Sequence, residues 1–183
     1  MSRLKFVKWH FFALLLLLWV GLKASAIGQE SLADLKNYVP ITEQLHTCGK
    51  IDESDLGTIK AAGIETIISL NTESPSQLKL LKQTATSLGM TLILIPVSWK
   101  APTIGSLEQF FEAMETYQSV ELLVHCRLNW RASAFVYLYR TLQQGVPEAE
   151  AKVHLLEVWN PWKYKTWRSF IVQAQAQFSS KNQ

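Results

Sequence analysis

Residues 125–133 (HCRLNWRAS) concentrate nucleophilic and anion-binding side chains in one short segment. Cys126 follows the apolar run 122–124, a pattern typical of a buried strand, and a helical pattern begins a few residues later. Backbone N–H groups at the start of a helix are unpaired, and the helix dipole favours an anion there. The same field lowers the pKa of a nearby cysteine, and Arg131 can offer a planar fork to a phosphate. The segment therefore predicts an anion-binding loop with a thiolate nucleophile at its base.

The rest of the chain shows an alternation of predicted strands and helices, and this framework positions residues 125–133. The predicted strands are Ile64–Leu70, Met90–Val97 and Val120–Val124, and the predicted helices are 52–62, 75–88, 106–118, 132–144, 147–159 and a last helix to about Phe178. Such alternation predicts an α/β fold with a central, mostly parallel sheet flanked by helices. Ligands of such sheets bind beyond the carboxyl ends of the strands, which is where Cys126 falls.

Three local expectations accompany this scheme. Ser106 and Gln109 have the spacing of a capping box at the start of the 106–118 helix. Residues 27–37 are expected to form a loose N-terminal tail. The aromatic-rich end of the chain, with Trp159 and Trp167, is expected to pack into the core between the last helices.

The first 26 residues have the three-part pattern of a secretory signal peptide. A positive start precedes twelve uncharged, mainly apolar residues (11–22), and Ala24-Ser25-Ala26 offers a cleavage site. The alternative is an uncleaved membrane anchor formed by residues 11–22. The whole chain of 183 residues has a net charge of +3, but residues 1–26 carry four of its 18 Lys and Arg and no acid. The expected exported, periplasmic domain of residues 27–183 therefore has no basic excess that would favour nucleic acid.

The order strand, His125-Cys126, loop, Arg131 and helix resembles the signature of cysteine-dependent protein tyrosine and dual-specificity phosphatases, and more closely a compact bacterial branch of that group. The likeness extends from Asn37-Tyr38 to Glu157-Val158-Trp159. Its other matching segments are Thr47-Cys48-Gly49, Ala62-Gly63, Ile95-Pro96-Val97, Pro102-Thr103, Ser133-Ala134-Phe135 and Tyr137-Leu138-Tyr139-Arg140. The resemblance implies a phosphatase-like domain over residues 27–183.

The resemblance also implies a mechanism. Cys126 would attack phosphorus, Arg131 and the loop amides would hold the phosphoryl oxygens, and water would release phosphate. Ser133 would support Cys126 as a leaving thiolate, and His125 would orient the loop or tune Cys126, although a plain core histidine is an open alternative. The implied substrate-binding residues are Arg127, Leu128, Asn129, Trp130 and Ala132, with Arg127 facing either substrate or solvent. The implied substrate is a phosphorylated protein or a small phosphate ester, with no metal or organic cofactor.

The loop departs from that pattern in length and composition. The usual loop has five residues between Cys and Arg, whereas four separate Cys126 from Arg131; a five-residue spacing would put Ala132 at the arginine position. The loop also contains no glycine. Two alternatives stay open: a rhodanese-like sulfurtransferase, whose active loop has six residues, and a degenerate phosphatase that only binds phospho-ligands.

A general acid is not evident, because the stretch 96–102 that should carry it contains no carboxylate. Ser98 is too weak an acid, and Glu108 falls inside a predicted helix. Slow turnover, or a preference for good leaving groups, is the expected consequence. Cys48, on a Thr-Cys-Gly turn before the first predicted helix, is a candidate disulfide partner of Cys126 in an exported protein.

Overall fold

The computed structural model describes residues 31–72 and 74–179. The predicted signal peptide, residues 1–26, and its alternative as an anchor lie outside these residues. Within the described ranges, no helix combines the length and the apolar character needed to cross a membrane.

A five-stranded sheet forms the centre of the domain. Its strands are β1 (Val39–Pro40), β2 (Leu45–Cys48), β3 (Thr66–Ser69), β4 (Thr91–Leu94) and β5 (Leu122–His125), in the order β1-β2-β5-β3-β4. Only β1 runs antiparallel to its neighbour, so the prediction of a mostly parallel sheet is confirmed. His125 is in register with both Cys48 and Ser69, which aligns the carboxyl ends of three strands at one edge.

In the described part of the chain, six helices surround the sheet. They are α1 (Leu56–Ala61), α2 (Pro75–Ser87), α3 (Ile104–Thr116), α4 (Trp130–Leu142), α5 (Glu148–Val158) and α6 (Lys165–Ser179), with short 3₁₀ turns at Leu32–Asp34, Glu53–Asp55 and Pro161–Lys163. The expected capping box of Ser106 and Gln109 is wrong. Helix α3 starts two residues earlier than predicted, and the Thr103 hydroxyl caps it by accepting a hydrogen bond from the Ser106 amide.

The two faces of the sheet bury separate hydrophobic clusters because successive strand residues point in opposite directions. On one face Ile68 and Val124 pack with Phe110 of α3, Phe135 of α4 and Trp167 of α6. On the other face Ile67 and Leu123 pack with Leu56 and Ile59 of α1 and Leu81 of α2. Helices therefore cover both faces, as predicted.

The sequence patterns missed the β1–β2 edge of the sheet. Strand β2 has the sequence Leu-His-Thr-Cys and is buried at all four positions, so it shows neither the alternation nor the β-branched run of a typical strand. Cys48 is the last residue of this strand rather than part of a turn. The expected loose tail is also wrong for residues 31–37, since Leu35 is buried and the Lys36 carbonyl accepts a 2.6 Å hydrogen bond from the Gly49 amide.

Candidate active site

Cys126 lies directly after β5, at the base of a cleft of about 520 Å³. Its side chain is 1% exposed, and its amide donates to the Cys48 carbonyl at 3.3 Å, which ties the loop to the neighbouring strand. The cleft is lined by Lys36, Thr72, Trp99, Cys126, Arg127, Leu128, Trp130, Arg131 and Tyr164. The cleft therefore opens at the carboxyl edge of the sheet, where parallel-sheet folds bind ligands.

The chain turns from β5 into α4 within four residues, and Asn129 makes this possible. Asn129 has a φ of 63°, in the left-handed region, and α4 begins at the next residue. Glycine usually occupies such positions, and asparagine is among the few other residues that tolerate them. Asn129 thus adopts the left-handed backbone conformation for which a glycine would otherwise be expected in this loop.

A reciprocal pair of asparagines clamps this loop to the N-terminal segment. The Asn129 side-chain amide donates to the Asn37 carbonyl at 2.7 Å and to the Thr47 hydroxyl at 2.9 Å. The Asn37 side-chain amide donates in return to the Leu128 carbonyl at 3.0 Å. Asn37 also has a left-handed backbone, with a φ of 48°. Asn129 is fully buried and turned away from the cleft, so it shapes the loop rather than contacting a ligand with its side chain.

The loop leaves several of its backbone donors without a backbone acceptor. The amides of Cys126 and Ser133 donate to the carbonyls of Cys48 and Asn129. Among the described residues, the backbone N–H groups of Arg127, Trp130, Arg131 and Ala132 have no backbone acceptor, whereas the bridge between Gly49 and Leu128 engages the 128–129 part of the loop. Successive unpaired amides at a helix start bind anions.

Arg131 lies in the first turn of α4, and its guanidinium is fixed at the cleft. One terminal nitrogen, Nη1, donates to the carbonyls of Leu70 (2.7 Å) and Val97 (2.8 Å), at the ends of the β3 and β4 regions. The other, Nη2, donates to the Asn71 side-chain oxygen at 3.0 Å. A guanidinium has five N–H donors, so one on Nε and one on Nη2 stay available for a phosphoryl group.

The structure shows whether Arg131 or Ala132 lies at the position where a phosphate-binding arginine is expected. Ala132 is fully buried and packs in the same hydrophobic cluster as Phe135, so its side chain does not reach the cleft. Arg131, in contrast, lines the cleft together with Cys126. The four-residue spacing thus places the arginine at the site, and Ala132 offers a ligand only its backbone amide.

Ser133 does not make the expected hydrogen bond to Cys126. Its hydroxyl donates to the Asn129 carbonyl at 2.7 Å and accepts from the Trp159 indole nitrogen at 3.2 Å. Ser133 is buried beneath the loop and braces the first turn of α4 from below. The structure gives this serine a role in holding the left-handed turn at Asn129.

His125 is fully buried, and it belongs to the structure beneath the loop rather than to the cleft lining. Neither ring nitrogen makes a hydrogen bond of good geometry among the described residues, and the Gly49 backbone is the polar group that acts on the ring. Burial lowers the pKa of His125 to about 4, and the positive charge of Arg131 acts in the same direction while the Gly49 backbone opposes it. His125 is therefore neutral at physiological pH and adds no competing positive charge behind the loop.

Aromatic side chains form one wall of the cleft. Trp99 lies about 5.3 Å, between ring centroids, from Trp130, Trp159 and Trp167, and 5.6 Å from Tyr164. Trp130 stacks on Trp159 with an interplanar angle of 4°. Trp159 and Trp167 are buried, which confirms the expected core packing of the C-terminal aromatic residues. Trp99, Trp130 and Tyr164 extend this core to the cleft surface.

Cys48 and Cys126 are both free thiols. Their side chains belong to the hydrophobic clusters on opposite faces of the sheet, so the proposed disulfide is not formed here. The Cys48 thiol donates to the Gly49 carbonyl, and burial, with a smaller contribution from Cys126, raises its pKa. Cys48 is therefore a protonated structural thiol.

The structure adds four residues to the predicted site. Lys36, Thr72, Trp99 and Tyr164 line the cleft, although sequence reasoning assigned none of them to it. Trp99 lies in the 96–102 stretch, which contains no carboxylate. Thr72 follows β3, which neighbours β5; Lys36 is held by the Gly49 amide after β2; and Tyr164 packs on Trp99 and Trp130. Among the described cleft residues there is no Asp or Glu, and Glu108 lies on α3 outside the lining.

This fold and this loop have counterparts among known proteins. A family model described as "DSP-PTPase phosphatase fused to NAD+ Kinase" matches residues 38–173. No match was found among curated proteins. A crystal structure of a DUF442 protein of Shewanella putrefaciens CN-32, described as a phosphatase, has 30% sequence identity and a TM-score of 0.68, covering 80% of this chain and 96% of its own.

A structure with much lower sequence identity shares the fold. The crystal structure of P. aeruginosa TpbA has 10% identity and a TM-score of 0.63, covering 81% of this chain and 92% of its own. A Cys-to-Ser variant of TpbA has been crystallised in complex with phosphotyrosine, with 9% identity, a TM-score of 0.60, and coverage of 85% and 94%.

Fold and loop together place this protein among the cysteine-dependent phosphatases of the tyrosine and dual-specificity class. It belongs to the DSP-PTPase phosphatase family, whose model spans most of the described residues. Family membership supports the phosphatase interpretation of the loop over the sulfurtransferase alternative. Turnover of an aryl phosphate would distinguish an active member from a binding-only one.

Proposed function

We propose that this phosphatase hydrolyses aryl phosphate monoesters, with Cys126 as nucleophile and Arg131 as phosphoryl-binding residue. The observation that carries the proposal is the co-location of three features. Cys126 lies at the base of the cleft, the Arg131 guanidinium is fixed at the same cleft with two donors left over, and the amides of Arg127, Trp130, Arg131 and Ala132 have no backbone acceptor. Together these groups provide hydrogen-bond donors and positive charge for the three negatively charged non-bridging oxygens of a phosphoryl group.

The proposed reaction has two steps. The Cys126 thiolate attacks phosphorus, a P–S bond forms, and the bond from phosphorus to the leaving oxygen breaks. A water molecule then attacks phosphorus, the P–S bond breaks, and inorganic phosphate leaves with the thiolate restored. Throughout, the Arg131 donors and the loop amides hold the three non-bridging oxygens.

The aromatic wall supports an aryl leaving group. Trp99, Trp130 and Tyr164 present ring surfaces at the cleft, and aromatic groups stack favourably on such surfaces. An aryl oxide also leaves without strong assistance from an acid, which suits a cleft whose described residues include no carboxylate. The phosphotyrosine bound to the TpbA variant belongs to this chemical class.

The test is steady-state hydrolysis of phenyl phosphate by the wild-type protein and by Cys126→Ser, with Cys48→Ser as the matched control. Cys126→Ser is expected to abolish turnover, whereas Cys48→Ser keeps it, because Cys48 points to the other face of the sheet. Turnover that survives Cys126→Ser refutes the proposal. Thiocyanate formation from thiosulfate and cyanide, with no phosphate release, would instead indicate a sulfurtransferase.

We also propose that the domain acts outside the cytoplasm, on the basis of the tripartite pattern of residues 1–26. Cell fractionation and N-terminal sequencing of the native protein test this. The expected result is a periplasmic protein that begins at residue 27. A protein that retains residues 11–22 in the membrane fraction would support the anchor instead.

A further inference from the structure

The cleft carries two exposed cations that the proposed chemistry does not use. Lys36 and Arg127 both line it, and among the described residues neither side chain has an ion-pair or hydrogen-bond partner. With Arg131 they make three cations in a cleft whose described lining includes no acidic residue. Unpaired cations held close together repel one another, so the arrangement favours a ligand with more negative charge than one phosphoryl group.

Backbone contacts hold these two residues in place. The Gly49 amide donates to the Lys36 carbonyl at 2.6 Å, and a Cβ on residue 49 would lie only 3.0 Å from Lys36 Cγ. The stem of the Lys36 side chain therefore packs against a glycine that leaves room for it. The Arg127 carbonyl accepts from the Lys50 amide, so both residues are attached to the segment after β2.

The strand order separates this cationic side from the aromatic wall. Cys126 follows β5, the middle strand, while Gly49 follows β2 on one side and Trp99 follows β4 two strands away on the other. A phosphoryl group on Cys126 would thus have ring surfaces on the β4 side and free cations on the β2 side.

We propose that Lys36 and Arg127 form a second anion subsite, and that the preferred substrate is a phosphate monoester carrying a further anionic group. This inference rests on the proposed phosphatase function of the same cleft. Phosphate at Cys126 and Arg131 is the reacting group, and the second anion binds without reacting.

A matched pair of substrates tests the subsite. Carboxymethyl-phenyl phosphate and its uncharged carbamoylmethyl analogue have similar size and leaving group, and differ by one negative charge. Meta and para isomers of both vary the distance between the two anions. For the wild type, kcat/KM of at least one charged isomer is expected to exceed that of its neutral analogue about fivefold, the upper range for one exposed charge contact. The preference is expected to shrink at high ionic strength.

Lys36→Gln is expected to remove most of this preference, whereas Lys79→Gln, the same charge change on the exposed surface of α2, keeps it. Lys36→Glu is expected to reverse the preference. Thermal unfolding checks that each variant is folded. Should Lys36→Gln not fold, the salt dependence of the wild-type preference decides the question.

Equal kcat/KM for charged and neutral substrates, at low salt and for both isomers, overturns the subsite while leaving the phosphatase proposal standing. An unchanged preference in Lys36→Gln also overturns it. Failure of the wild type to hydrolyse any of the four esters would refute the proposed function itself.

Discussion

Asn129 offers the most informative perturbation of the loop, because its backbone and its side chain act separately. Asn129→Ala removes the two hydrogen bonds to the Asn37 carbonyl and the Thr47 hydroxyl, each contributing about 1 kcal/mol when buried. It also places a residue with a Cβ but no compensating polar group at a φ of 63°, which costs about 1 kcal/mol more. The expected destabilisation is therefore about 3 kcal/mol.

Asn129→Gly separates the two contributions. Glycine adopts the left-handed region freely, so this variant is expected to lose only the hydrogen bonds and to be about 1 kcal/mol more stable than the alanine variant. Asn129→Asp keeps the shape of the side chain but points a buried charge at a carbonyl oxygen, and it should be at least as unstable as alanine.

Urea and thermal unfolding measure these differences. For a domain of this size 1 kcal/mol corresponds to about 2–4 °C in Tm, so about 6–12 °C is expected for Asn129→Ala. Because a displacement of about 1 Å can cost about 10²-fold in rate, activity should follow the same order. Alanine and glycine variants that agree within about 0.5 kcal/mol would refute the assignment of Asn129 as the left-handed pivot of the loop.

Three further predictions concern the residues around the loop. Arg131→Lys loses the planar fork, leaves the Val97 carbonyl without this donor and leaves the Leu70 carbonyl with only the Val97 amide, so kcat/KM for phenyl phosphate should fall about 10²–10³-fold; a loss below tenfold would contradict its role. Trp159→Phe removes the indole donor to Ser133 and part of the buried ring that stacks on Trp130, and should lower the free energy of unfolding by about 2 kcal/mol in urea titrations; a large fall in kcat at unchanged stability would instead implicate Ser133 in the chemistry. Because the pKa of His125 is about 4 when folded and about 6.5 when unfolded, the unfolded chain binds the extra proton, and stability should fall by up to about 3 kcal/mol as the pH drops from about 6.5 to 4. His125→Asn should have a shallower urea-midpoint profile over that window, and parallel profiles would contradict the neutral, buried histidine.

The elements that sequence patterns predicted well are those whose signals are local. The apolar runs of β3, β4 and β5 and the stripe of α2 need no knowledge of distant contacts, although β4 is an edge strand and is partly exposed rather than buried as its apolar run predicts. The spacing of Cys126 and Arg131 before a helix likewise indicated an anion site from local chemistry alone.

The elements that the patterns missed depend on contacts far apart in the chain. Strand β2 is fully buried yet reads Leu-His-Thr-Cys, and the 31–37 segment is held by residues 49, 128 and 129. Lys36 reaches the cleft because the Gly49 amide after β2 holds its backbone, and Tyr164 reaches it because its ring packs on Trp99 and Trp130. The absence of glycine from the loop is a poor guide to its shape, because Asn129 adopts the left-handed backbone conformation that glycine usually provides.

Direct capture of the covalent intermediate tests the central claim, that Cys126 is the nucleophile. Rapid acid quenching during turnover of phenyl phosphate, followed by peptide mass spectrometry, should find one phosphoryl group on the peptide that contains Cys126. The label should be absent in Cys126→Ser and present in Cys48→Ser. A phosphoryl group on another residue, or undiminished turnover by Cys126→Ser, would contradict the account.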